Sequence, residues 1–308
     1  MIFLLKDYDS NEIIEISDWD QVTSRPNFMK DVDLKDQHLQ KIIGSYNLKD
    51  ARTCGIKSCH TGHNKGYIVV TECGMETNIG NCCGKKYFKI KFEDLTKIFS
   101  KNLDHEKRKL SLHNAKSKIP EWRQKADILK SGEQNINWAI ELIRGIKDQS
   151  VVGHFASTEL KRMAAVPTNI VTTARHATQR ESDIQELFDK RYPVAERTEI
   201  DIIGIIEHID CLLPQNDLRQ IFYVSVTRVL KALAKSEPAL MSSPKMINLL
   251  SKVNNIESNL EYASERLDIA RKFLVKENLK PLYNKMKDMD TVSSADLERY
   301  LFFINSLQ

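Results

Sequence analysis

The sequence predicts a mainly α protein in which a small N-terminal zinc-stabilised α+β module precedes a helical domain of long helices. Three observations carry that expectation. Short β-branched runs are confined to roughly the first ninety residues, five of the six cysteines fall between Cys54 and Cys83, and from about residue 104 onward one helical apolar pattern follows another. The boundary is placed accordingly, with residues 1–103 as the zinc-binding module and 104–308 as the helical bundle domain.

Taken in order, IFLL and EIIEI flank the turn DYDSN and predict a hairpin, with Ile14 and Ile16 alternating with Glu15. In LKDQHLQKIIGSY the spacing of Leu34, Leu39, Ile42 and Ile43 predicts a helix, with Gly44 as its stop. GYIVVTECGMETNIG predicts a second hairpin: a β-branched strand, a glycine-containing turn and a shorter return strand. FEDLTKIFSKNL predicts the helix that closes the module.

Helices are then expected over 104–130, 134–148, 156–165, 169–191, 198–213, 216–235, 244–279 and 293–306. Their punctuation fits: Ser293 and Ser294 open the last, and Pro214 and Pro238 follow two others. The stretch from Ser242 begins SSPK, a serine cap with a proline suited to a first turn. It repeats Met246, Leu249, Val253, Ile256, Leu260, Ala263, Leu267, Ala270 and Leu274 at alternating spacings of three and four. Such a seam serves either a coiled-coil homodimer or one long helix of an intramolecular bundle. Ile247, Leu250, Ile269 and Phe273 widen the apolar face, which favours the bundle.

Composition narrows the class of protein. Hydrophobic residues at 41% and charged residues at 29% are ordinary for a globular chain and exclude a disordered one. No apolar run approaches the ~18 residues of a membrane span, so no membrane partner is expected. The opening MIFLLKDYDSNE lacks the basic start and long apolar core of a signal peptide. A cytoplasmic location follows as the expectation, and in a reducing compartment clustered cysteines bind metal rather than form disulfides.

Tetrahedral zinc needs four N or S ligands, usually delivered as two close pairs. Cys54 and Cys59 make the first pair, four residues apart, with Gly55 easing the turn. Across the hairpin, NIGNCCGKKYF offers Cys82 and Cys83, flanked by Gly80 and Gly84, which let backbone N–H groups approach thiolates. A cysteine knuckle, a hairpin and a helix opened by GNCCGKKYF resemble the treble-clef group of zinc modules. The run is also similar to segments of uncharacterised zinc-binding proteins of bacteria and phages. The resemblance covers residues 50–90 approximately and implies that Cys54 and Cys59 are knuckle ligands and Cys83 the ligand at the helix start. The chain departs from the pattern in its knuckle spacing of four rather than two, and in having no C-x-x-C pair after the hairpin.

That leaves the fourth ligand among His63, His60, Cys82 and Cys73. Cys82 and His60 each adjoin another ligand and would strain the backbone, and Cys73 sits near the hairpin turn. His63, freed from Cys59 by Gly62, is chosen, with Cys82 in reserve. Four filled positions leave no place for a substrate water, so the zinc is expected to be structural.

Charge supplies the second functional signal. The net charge is +4, yet Lys85 to Lys130 hold fourteen Lys or Arg against six acids. Lys85, Lys86, Lys89, Lys107, Arg108 and Lys109 are therefore candidate nucleic-acid contacts, with Tyr87, Phe88 and Trp122 interleaved for base stacking. The plainer reading is a solvated helix face with Trp122 in the core. His208 and Cys211 lie three apart on an expected helix and read more simply as a boundary histidine and a buried cysteine. No P-loop, GxGxxG, HExxH or GxSxG motif is present. The expected function is a non-enzymatic binding or adaptor protein whose partner is nucleic acid or an acidic protein surface. The alternatives are a scaffold dimerising through 244–279 and an enzyme with its site between the helices.

Overall fold

Fifteen consecutive residues of strand, Leu39–Thr53 (β3), organise the N-terminal part of the computed structural model, which describes every residue except 10, 11, 35, 36, 177, 179, 182–197 and 308. β1 (Ile2–Leu5) pairs with β2 (Ile13–Ile16) on one side and with β3 on the other. β4 (Gly62–Thr71) and β5 (Glu76–Ile79) continue an antiparallel five-stranded sheet in the order β2-β1-β3-β4-β5. Both predicted hairpins are present. The helix predicted across Leu34, Leu39, Ile42, Ile43 and Gly44 is not, because from Leu39 onward the segment is strand.

The physical reason lies in the register. β3 slips against β4 between Leu39 and Lys41 and again between Ile42 and Gly44. Bulges of this kind break strict alternation, so Leu39, Ile42 and Ile43 are all buried and imitate helical spacing. Gly44 stops nothing: a Cβ there would come within 2.5 Å of Leu4 Cδ2 and 2.9 Å of the Phe3 carbonyl, so glycine lets β1 lie close.

Chain contacts divide the protein into two units, Met1–Asn114 with Glu237–Leu250, and Ala115–Ser236 with Ser251–Gln308. In the first, Ile2, Leu4, Leu39, Ile43, Ile68, Val69 and Ile79 form the core of the sheet. Phe88, Phe92 and Phe99 join that core from the helical run Asn81–Ser117, which is interrupted at Lys89, where φ is 46° and ψ −129°. A helical segment that the predicted FEDLTKIFSKNL helix did not include thus starts at Asn81, eleven residues before Phe92 and on the other side of the Lys89 kink, and it places Cys83 in its first turn.

All four residues of β5 are buried, three of them polar, and each polar side chain is matched. Thr77 Oγ1 donates to the Met29 carbonyl at 2.8 Å, and Asn78 Nδ2 to the Thr53 carbonyl at 2.9 Å. Glu76 takes the Arg25 guanidinium at 2.6 Å and also meets the Tyr8 hydroxyl. Removing one partner of a buried pair leaves an uncompensated charge, at a cost of about 3–5 kcal/mol. Arg25→Ala should therefore lower the unfolding free energy measured by urea titration by that amount, and Glu76→Gln added to it should restore much of the loss.

Helices dominate the second unit, which contains Ile119–Lys130, Ile136–Lys147, His154–Ala165, Arg228–Lys235, Ile256–Phe273, Lys276–Lys287 and Ser294–Asn305. Asn135 caps the second by accepting from the N–H groups of Asn137 and Trp138, and Ser293 caps the last as its sequence suggests. The helix predicted over 169–191 is contradicted at Ile170–His176, and the one predicted over 198–213 at Thr198–Ile205. Ile170–His176 (β6) and Thr198–Ile205 (β7) pair as an antiparallel ribbon, and Ile209–Leu212 is a 3₁₀ turn. Both strands are rich in β-branched residues, as strand geometry prefers; residues 177, 179 and 182–191 of the predicted 169–191 helix lie outside the described residues. His208 is a left-handed residue beside this turn and Cys211 is buried, without a second metal-ligating group among the described residues.

The helix predicted over 244–279 is three helices, Ser243–Val253, Ile256–Phe273 and one beginning at Lys276. Asn255 Nδ2 folds back onto the Ser251 carbonyl at 3.1 Å at the first break. Every seam residue from Met246 to Leu274 is buried in the single chain, with Leu260 at 3% exposure. The seam is thus consumed inside the protein and leaves no stripe for a coiled-coil homodimer. No helix among the described residues is long and apolar enough to cross a membrane.

Candidate metal centre

The loop between β3 and β4 carries Cys54 and Cys59, and it is held by its neighbours before any metal is considered. Gly55 N–H donates to the Asn78 carbonyl at 2.8 Å, Cys54 N–H to the Thr61 carbonyl at 3.0 Å, and Cys59 N–H to the Ile56 carbonyl at 3.0 Å. Gly55 is required because a Cβ would sit 2.0 Å from Thr77 Oγ1. The turn from β5 into the Asn81 helix then brings Cys83 alongside.

The three sulfurs of Cys54, Cys59 and Cys83 lie within 4.8 Å of one another, and those of Cys59 and Cys83 are 3.3 Å apart. Zinc–sulfur bonds of about 2.3 Å at tetrahedral angles separate sulfurs by about 3.8 Å, so the observed spacings bracket the requirement. All six cysteines are free thiols, which leaves every one of the three available as a ligand. This is the one group of three or more His, Cys, Asp or Glu ligand atoms at metal-binding distance among the described residues.

Electrostatics differ across the three. Burial pushes the Cys83 thiol up to about 12 and raises Cys54 as well, although the N–H groups of Ile56 and Gly80 reach the Cys54 sulfur. The Thr61 hydroxyl and N–H pull Cys59 down to about 7. A divalent cation displaces all three protons, and the start of the Asn81 helix favours negative charge at Cys83.

His63 stands one step outside the sulfur triangle. It pairs across the sheet with Arg52, its ring packs over Gly80, and its Nδ1 lies 3.0 Å from the Tyr46 hydroxyl, which also accepts from Asn78 Nδ2 at 3.3 Å. Its Nε2 is buried with no hydrogen-bond partner, and burial lowers its pKa. This buried nitrogen lies over Gly80, whose N–H reaches the Cys54 sulfur, and outside the 4.8 Å group that the three sulfurs form. Cys82 is exposed and outside the group; Cys73 is exposed and donates to Gln37 Oε1 at 2.9 Å. His60, left-handed at φ 52°, turns to Asp31. Tyr46, Asn78 and Thr61 escape the sequence reading because only the sheet register brings them to the site.

The predicted basic contacts separate into two groups. Lys85 pairs with Glu93 at 3.2 Å, Lys109 with Glu106 at 2.7 Å, and half-buried Arg108 lies 4.0 Å from Asp104. Lys86, Lys89 and Lys107 are exposed and enter no ion pair among the described residues. The stacking expectation fails for two of the three rings. Trp122 is 4% exposed and Phe88 8%, both packed in cores, and the half-buried Tyr87 hydroxyl lies 2.6 Å from Ser58 Oγ. No protein-family model, curated protein or solved structure matches this chain.

Proposed function

We propose that the protein is a non-enzymatic binding protein whose first unit is held together by one structural zinc and presents the lysines beside it to a polyanionic partner. The observation that carries this reading is the convergence of Cys54, Cys59 and Cys83. His63 completes the set through Nε2, with Nδ1–H donating to Tyr46, the outer hydrogen bond that fixes ring and tautomer at zinc histidines. The order of loop, hairpin and helix supports assignment to the treble-clef-like group. Three thiolates and a histidine leave no open position, so the metal is structural.

Nucleic acid is the partner to test first. With Phe88 and Trp122 buried, contacts fall on phosphates through Lys86, Lys89 and Lys107, which makes binding indifferent to sequence. Fluorescence anisotropy should show a single-stranded oligonucleotide binding at low salt. Lys86→Glu with Lys89→Glu should weaken it about tenfold or more and flatten its logarithmic salt dependence by about 2. The zinc content should not change. Absence of binding at low salt, or an unchanged affinity in the variant, would remove nucleic acid from the proposal.

A further inference from the structure

The Ile136–Lys147 helix of the second unit faces the nine-residue π-helix Arg219–Thr227 and the start of the helix that follows it, and between them opens a cleft of about 630 Å³. That volume falls within the range of small-molecule sites. π-helical turns are rare and recur at functional positions, since widening the ladder costs stability. Five cationic side chains line the cleft: Arg144, Lys147, Arg219, Arg228 and Lys231. Glu141 and Asp217 are the acids among its lining residues. Glu141 meets Arg144 only at an exposed 3.5 Å, and Lys147, Arg219, Arg228 and Lys231 make no ion pair among the described residues.

Two groups mark the interior. Lys147 is half-buried, so its ammonium has lost hydration without gaining a carboxylate within ion-pair distance. Thr227 Oγ1 is fully buried and has no hydrogen-bond partner. Ile140, Leu218 and Val224 add an apolar surface, and Tyr223 closes on Asn137 Oδ1 at 2.5 Å. Unpaired cations and an unused hydroxyl beside an apolar wall are what a compact ligand with a phosphate at one end and a ring at the other would satisfy.

We propose that this cleft is a binding site for a small phosphorylated ligand of the nucleoside diphosphate class, with Lys147, Arg228, Lys231 and the Thr227 hydroxyl receiving the phosphates. A nucleic-acid backbone fits less well, because Lys147 and Thr227 lie within the cleft rather than along a continuous exposed track. Titration calorimetry of the full-length protein with ADP, pyrophosphate and adenosine tests the assignment. ADP is expected to bind with a Kd below about 1 mM, tighter than either fragment, and to weaken at least tenfold in Arg228→Glu with Lys231→Glu. Thr227→Val should weaken it by a smaller factor with an unchanged melting temperature. Because Arg228 and Lys231 are exposed, their double variant stays folded and keeps the test decisive should Thr227→Val destabilise the chain. No heat with millimolar ADP, adenosine binding as tightly as ADP, or an unaffected double variant would overturn the proposal. Stoichiometric displacement of ADP by an oligonucleotide would overturn it equally.

Discussion

Cys83→Ser is expected to strip the protein of zinc and lower the melting temperature of its first unit by at least about 10 °C, with Cys59→Ser behaving the same way. Structural zinc contributes about 10–16 kcal/mol of apparent binding energy, the same scale as the whole stability of a domain. Under the zinc proposal that energy would be concentrated at one junction. The Cys54–Thr61 loop is tied to β5 through Gly55 and Asn78, and Cys83 opens the helical segment that delivers Phe88 to the sheet core and leads through the Lys89 kink to Phe92 and Phe99. Losing one sulfur releases both the loop and the helix start, so the loss propagates into the core. Differential scanning calorimetry with metal analysis reads the effect. Cys73→Ser is the control: an exposed thiol bonded to Gln37 should leave metal content and melting unchanged. A Cys83→Ser protein that melts with the wild type would contradict the structural role.

Leu260→Asp should unfold the second unit rather than release monomers from a dimer. Leu260 is 3% exposed on the Ile256–Phe273 helix, which packs on Ile119–Lys130 and on the π-helical segment. Losing the buried leucine costs about 2–5 kcal/mol by itself. A carboxyl in its place has no partner there and must be buried protonated or pull the helix into water. Far-UV circular dichroism should show helix lost at room temperature, and light scattering of the wild type should give one chain per particle. A folded Leu260→Asp monomer obtained from a dimeric wild type would restore the coiled-coil reading that the buried seam opposes.

The cysteine cluster was legible because ligand chemistry confines such groups to a few residue types on turns. Cys54, Cys59 and Cys83 were identifiable from their spacing and their likeness to known zinc modules, before any geometry was available. The sheet was less legible. β3 hid behind two register shifts that brought Leu39, Ile42 and Ile43 inward together, and β6 and β7 hid in a region where helices surround them. The heptad seam correctly marked a buried face, yet its regularity concealed the breaks at Asn255, whose side chain bonds back to Ser251, and at Val275, where the backbone is extended. The basic block misled for a different reason. Sequence counts charges but not their partners, and Lys85 and Lys109 spend theirs on Glu93 and Glu106. Tyr46 and Asn78 carry no motif at all; their task at His63 exists only once β3, β4 and β5 are in register.

X-ray absorption at the zinc edge of the purified protein tests the central claim most directly. The account predicts one zinc per chain with three sulfurs at about 2.3 Å and one nitrogen at about 2.0 Å, the nitrogen lost in His63→Ala. A preparation without zinc, or a metal shell lacking the three sulfurs, would contradict it.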